Sequence, residues 1–264
     1  MSFNLKVPSN WKDPDDKQQY ADALKGGNAT AGTPDPGSPP GPLFTPVQVN
    51  KHHCDIQKMH NAKFGAFIDK TCDAICGAWS QWQSAATMVG VMIAGPTASL
   101  GQVVGIPWQP LILAQGAMSS PMEMKYTNVI AGVISNAWMM YTASIKVPGL
   151  PWYPAFAACP SPVAPPMPNT PAPLMMLTQV DAPLQTNALK GMMVAQLADP
   201  LAPFNAQLFE AISDGFNQCF TIWKASTQIM NVIGTGPVPT FAPPYVPVGP
   251  VVGGVGTMAP GGFV

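Results

Sequence analysis

The chain contains no arginine; its basic residues are 12 lysines. Nucleic-acid binders neutralise phosphates with clustered Lys and Arg and read guanine edges with Arg. Without arginine or a lysine stripe, direct DNA or RNA binding is not expected. A nucleotide site also loses the side chain best shaped for bidentate phosphate recognition. Charge of either sign is scarce. Charged residues make up 9% of the sequence, with a formal net charge of −1, where roughly 25% is ordinary for a globular domain. Disordered chains combine low hydrophobicity with high net charge, and here 47% of residues are hydrophobic. So little charge gives a free protein little to stay in solution with. The composition therefore predicts a surface largely covered by other protein.

Acidic chemistry is equally thin. Glu123 and Glu210 are the only glutamates, and each has a structural use. Glu123 follows a capping Ser120 by three residues, and Glu210 lies early in a helix, where the dipole favours an anion. A paired-carboxylate enzyme would need aspartate partners that nothing in the sequence singles out. Gly253-Gly254-Val255-Gly256 does not open a helix after a strand, so it lacks the context of a phosphate cradle. The chain is read as non-enzymatic, with no catalytic residue and no cofactor.

The five cysteines (Cys54, Cys72, Cys76, Cys159 and Cys219) form no compact disulfide framework, and the odd count leaves one over. In a cytoplasmic product most are expected to be small buried hydrophobes. One cluster invites a metal reading: His52, His53, Cys54, His60, Cys72 and Cys76 gather all three histidines and three of the thiols. Cys72 and Cys76 sit one helical turn apart, and His60 or Cys54 could complete a zinc set. The spacing matches no compact zinc pattern, however, and His60 lies about three turns from Cys72 on an unbroken helix. No metal is assigned. As a nucleophile–base pair, Cys54 with His53 or His60 lacks a third, orienting group.

The N-terminal Met1-Ser2-Phe3-Asn4-Leu5-Lys6 leads into polar sequence rather than an apolar core, so synthesis in the cytoplasm without Sec export is expected. No charge occurs between Asp73 and Glu123, which raises the question of a membrane span. The most apolar part, Ala85 to Gly95, falls short of the roughly 20 residues a span needs. Gly101, Gly105, Pro107 and Pro110 divide the sequence after it. A membrane-active or pore-forming protein using the apolar segments near 85–118 is the alternative to a structural role.

In quantity the chain has proline and glycine, 32 and 24 residues, together with spaced aromatics. An amphipathic helix with an aromatic pair, followed by a Gly/Pro-rich stretch without charge, recurs three times. The first copy carries Ile75, Trp79, Trp82 and Ser84, the second Ile134, Trp138, Tyr141 and Ser144, and the third Ile212, Phe216, Phe220, Trp223 and Ser226. Such recurrence is sought first because it governs the whole fold. If the units are equivalent, Trp82, Tyr141 and Trp223 share one aromatic-lined core, and three units form a pseudo-threefold body.

Apolar residues at three- to four-residue steps predict a helix from about His52 toward Ala94, with Val89 and Ile93 on its stripe. Ser120-Pro121-Met122-Glu123 predicts the next helix start, with Lys146 in its last turn and Pro148 as its stop. Further helices are predicted from Pro183 to Ala198 and from about Phe204 to Val232, the last closed by Gly234 in the left-handed conformation. Alternation is rarely sustained, so little strand is expected. The predicted class is mainly α, with helices joined by long Pro/Gly-rich irregular or polyproline-like segments. The organisation is a Pro-rich arm over 1–50, a helical unit with an apolar connector over 51–119, a second with a Pro-rich connector over 120–178, and a third with a Pro/Gly-rich tail over 179–264.

The connectors are apolar as well as stiff: Val147 to Gln179 carries no charge yet includes Trp152, Tyr153 and Phe156. Stiff apolar segments lose less entropy on docking than flexible ones. They suit packing on a neighbour or on the chain's own helices. The residues expected to carry packing and assembly are Trp79, Trp82, Trp138, Tyr141, Trp152, Tyr153, Phe220, Trp223, Phe241 and Tyr245.

Sparse charge, missing arginine, stiff apolar connectors and unpaired thiols together resemble, in style, the structural proteins of phage virions and phage-tail-like contractile injection particles. That resemblance implies a plug, cap, neck or baseplate subunit located in the particle. Its partners would be other structural proteins of the particle or further copies of itself.

Overall fold

The computed structural model describes residues 47–199, 202, 204–242 and 246–264, with 47–55, 241–242 and 246–247 described by backbone alone. The chain divides into two compact units, Met1–Asp69 and Lys70–Val264. The described part of the first is helix, the opening stretch of α1 (Val47–Ala85). All other described elements belong to the second.

Helix α1 ends at Ala85, not near Ala94. Thr87, Val89, Val91 and Ile93 are β-branched, which favours strand over helix. They fall in β1 (Thr87–Ala94), the first arm of a hairpin completed by β2 (Thr97–Val104) through a Gly95-Pro96 turn. The short helix α2 (Trp108–Gln115) comes next, then α3 (Pro121–Ser144).

The start of α3 is built as its sequence implies. Ser120 Oγ accepts the Glu123 N–H at 3.2 Å, and Glu123 Oε2 accepts the Ser119 N–H at 2.8 Å, so early donors of the helix find partners. Val129, Ile130, Val133, Ile134, Ala137, Trp138 and Tyr141 form its buried side. Lys146 lies beyond the helix, in an antiparallel bridge with Thr178. Helix α4 (Thr186–Leu197) and helix α5 (Asn205–Ser226) pack on each other, tied by Lys190 Nζ to Glu210 Oε2 at 2.6 Å. Gly234 does not close α5. Thr227 caps that helix, and Asn231, at φ 60°, makes the left-handed turn instead.

The expected mainly-α class is overturned by a six-stranded antiparallel sheet. Besides β1 and β2 it contains β3 (Val147–Leu150), β4 (Val163–Pro168), β7 (Val232–Pro237) and β10 (Gly254–Met258), in the order β3-β2-β1-β10-β7-β4. Two-residue pairs β5 (Ala172–Pro173) with β6 (Gln228–Ile229), and β8 (Phe241–Ala242) with β9 (Val246–Pro247), stand apart. The segments expected to be irregular connectors are the strands. Each charge-free stretch contributes two: 74–122 supplies β1 and β2, 147–179 supplies β3 and β4, and 225–264 supplies β7 and β10.

The pattern was hidden because on two strands it is inverted. Inward positions of β7 and β10 are held largely by glycine, while Ile233 and Val255 face out. A Cβ on Gly234 would lie 2.6 Å from Ile93 Cδ1 and 2.7 Å from the Tyr153 ring. Gly256 lies close under Tyr153 too, where a Cβ would come within 3.1 Å of the hydroxyl. Glycine is therefore set by the close approach of an aromatic side chain, and the alternation of large apolar residues that normally signals a strand is lost. Proline is the other disguise. It is disfavoured inside sheets, and it sits mainly on the outermost strands, Pro148 in β3 and Pro165, Pro166 and Pro168 in β4, with Pro237 at the last position of β7.

Candidate interaction surface

Helices α1, α2, α3 and α5 bring their aromatics into one cluster around Trp138. Its ring stacks on Trp108 at 4.4 Å and meets Trp82 edge-on at 4.8 Å. Trp79, Tyr141, Trp223 and Phe220 surround it at 5.0, 5.4, 5.6 and 6.2 Å. Tilted and edge-to-face pairs at these separations each add to the burial of the rings themselves. Trp79, Trp82, Trp138, Tyr141, Phe220 and Trp223 therefore meet in the core of their own chain. Trp108 and Phe216 join them. Only Trp79 and Trp223 keep part of their surface exposed. Tyr141 donates its hydroxyl to Gln179 Oε1 at 2.6 Å.

Trp152 and Tyr153 are buried, Tyr153 against Gly234 and Gly256 of the sheet and stacked on Phe156 at 5.1 Å. Phe241 is described by backbone alone, in β8, and Tyr245 lies outside the described residues. The aromatics singled out by sequence pack inward where they are described, so the surface available to a partner must be sought elsewhere.

Among the described residues, the His/Cys cluster assembles no site. The side chains of His52, His53 and Cys54 lie outside the described residues, Cys72 is buried, and Cys76 and His60 are exposed. Among the described residues, no group of three or more His, Cys, Asp or Glu is placed to hold a metal ion.

The outer face of the six-stranded sheet is the outstanding surface. Met92 on β1 and Val255 on β10 are cross-strand partners on the two central strands, 51% and 59% exposed. Leu100 on β2 is 52% exposed and Val163 on β4 57%. Val89, Val104 and Ile233 are exposed too. Not one residue in the six strands carries a charge. Single exposed apolar residues are ordinary, but a contiguous patch of several hundred Å² marks an interaction surface.

Leu100 adds a further sign. Its φ of 63° puts a bulky side chain in the left-handed region, flanked by Gly90 and Gly101 at φ 71° and 84°. An L-residue there costs roughly 1–2 kcal/mol, and strain of this kind gathers at functional positions. Here it projects a leucine into solvent.

At the end of β2 the face runs into a cleft of about 350 Å³, lined by Val104, Ile106, Trp82, Trp108, Trp138 and Met139 among others. None of its lining residues is ionisable; its hydroxyls are those of Ser135 and Thr142, with no acid or base among the lining residues beside them. It can accept an apolar side chain. Segment 85–118, the apolar stretch of the membrane-active or pore-forming alternative, holds β1, β2 and α2. No helix among the described residues is long and apolar enough to cross a membrane.

The charge-free stretches were the available signal for this face, since they supply every strand in it. No protein-family model matches the chain, and neither a curated protein nor a solved structure matches it.

Proposed function

We propose that this protein is a non-enzymatic structural subunit of a large protein particle, of the plug, cap, neck or baseplate kind found in phage virions and contractile injection particles. The uncharged, apolar outer face of the sheet carries this reading. Surrendering such a face to another protein removes apolar area from water at about 25 cal/mol per Å² and leaves no charge desolvated without a partner. The aromatic core supports it by making the scaffold behind that face rigid.

Density-gradient sedimentation of particles from the source cells tests the proposal. The chain should travel with a high-mass protein particle at fixed stoichiometry to its other proteins, and Met92→Lys should release it to the top of the gradient. Recovery of the wild-type chain only as a free species would overturn the reading. Flotation with neutral lipid vesicles, lost on Met92→Lys, would instead favour membrane action.

A further inference from the structure

We propose that two copies of this chain pair through the outer faces of their six-stranded sheets, face to face about a twofold axis. This rests on the reading of the chain as a structural subunit and names its first partner.

Sheets join other chains by edge or by face. The edges are closed. Pro148 on β3 and Pro165, Pro166 and Pro168 on β4 withhold backbone donors from the two outermost strands, which blunts pairing with an added strand. The face is open and uncharged, with Met92 and Val255 exposed at its middle and Thr257 and Gln102 as exposed polar members.

A second copy fits that face in charge and in size. A twofold contact sets each patch against itself, so any charge near the axis meets its own copy, and like charges so placed cost several kcal/mol. The six strands hold no charge. Strands about 4.8 Å apart, rising about 3.3 Å per residue, give a flat area on the order of 500–600 Å² for such a sheet. With its projecting side chains, that is of the same order as the roughly 800 Å² per partner of a stable interface. Two such faces stack about 10 Å apart with their strands within about 30° of each other. Met92 and Val255, paired on β1 and β10 at the middle of the strand order, then lie near the axis and close to their own counterparts.

Analytical ultracentrifugation of the full chain over a dilution series reads the dimer directly. Wild type should show a reversible monomer–dimer equilibrium. Met92→Lys and Met92→Asp should each weaken it by about 100-fold or more, with circular dichroism and melting temperature little changed. An equimolar mixture of the two variants should dimerise again, because lysine then faces aspartate across the axis. Ile222→Lys, at an exposed position on α5, should leave dimerisation intact.

A wild-type chain that stays monomeric, or a dimer indifferent to both Met92 variants, overturns the proposal. If that monomer still enters a particle through a Met92-sensitive contact, a different structural protein occupies the face and the subunit reading survives. A Met92-sensitive dimer never found in any particle supports the pairing and counts against the subunit reading.

Discussion

The Tyr153 hydroxyl donates to the Val232 carbonyl at 2.8 Å, in the protein interior and across 79 positions of sequence. Its ring occupies the space that side chains at Gly234 and Gly256 would fill. One residue from the proline-rich connector thus fastens the inner side of the sheet to the strands that close it. Its backbone N–H reaches the Pro96 carbonyl at 3.0 Å in the β1–β2 turn, so β1, β2, β7 and β10 are all registered against it.

Gly234→Ala should therefore destabilise the protein by about 1–3 kcal/mol through overpacking, since the new methyl group collides with Ile93 and Tyr153. Gly191→Ala should do the opposite. It lies within α4 with nothing inside 4 Å of a new Cβ, and alanine in a helix gains about 0.5–1 kcal/mol over glycine. Thermal melts of the two variants should shift in opposite directions.

Tyr153→Phe should cost about 0.5–1.5 kcal/mol at neutral pH through the lost hydrogen bond, because the Val232 carbonyl still accepts the Asn169 N–H at 3.0 Å. Alkaline pH should expose a second consequence. Burial pushes the Tyr153 hydroxyl far above its ordinary value near 10, and burial reinforced by the Asp181 charge does the same for Tyr141. The folded chain thus holds these protons after the unfolded chain has released them. Their contribution to stability is complete below about pH 10 and is lost progressively above it. Denaturant titrations from pH 8 to pH 11 (about the range where free tyrosine ionises) should show a falling limb for wild type and a shallower one for Tyr153→Phe. A parallel decline would remove Tyr153 as its source.

Trp138→Ala should be among the costliest substitutions, at about 3–5 kcal/mol, because its ring contacts six other aromatics and is only 2% exposed. Trp223→Ala, at a half-buried ring on the rim of the same cluster, should cost less. Chemical denaturation of the two variants checks the order, and equal losses would contradict a core centred on Trp138.

Leu100→Gly should be more stable than Leu100→Ala by about 1 kcal/mol, since glycine alone relieves the left-handed backbone at φ 63°. Both should weaken self-association by removing the same exposed side chain. If alanine proved the better substitute in melts, the strain at this position would be disproved.

The start of α3 was legible because a helix start is local chemistry: serine, proline and glutamate at fixed offsets satisfy donors within one turn. The helical character of α4 and α5 was legible for a similar reason, since their apolar faces recur at the helical period. The β1 segment was not. Val89 and Ile93 fit a helical stripe when counted from α1, and only cross-strand partners such as Val255 and Ser99 beside Met92 show that the segment is strand. The aromatic residues were recognisable as packing groups. Their convergence on Trp138 depends on helices far apart in sequence, which no local pattern encodes.

By itself, the sequence determined where charge is missing, which aromatics seek burial and where helices can begin, because these depend on composition and on contacts within a few residues. Only the tertiary structure decided that the three charge-free stretches become paired strands of one sheet. Strand pairing is made between residues distant in the chain. Tyr153 and Ile93, packed onto Gly234, left glycine on the inner face of β7 and β10, while valine, methionine and leucine hold the outer face of the sheet. That inversion turned apparent linker composition into an uncharged apolar face.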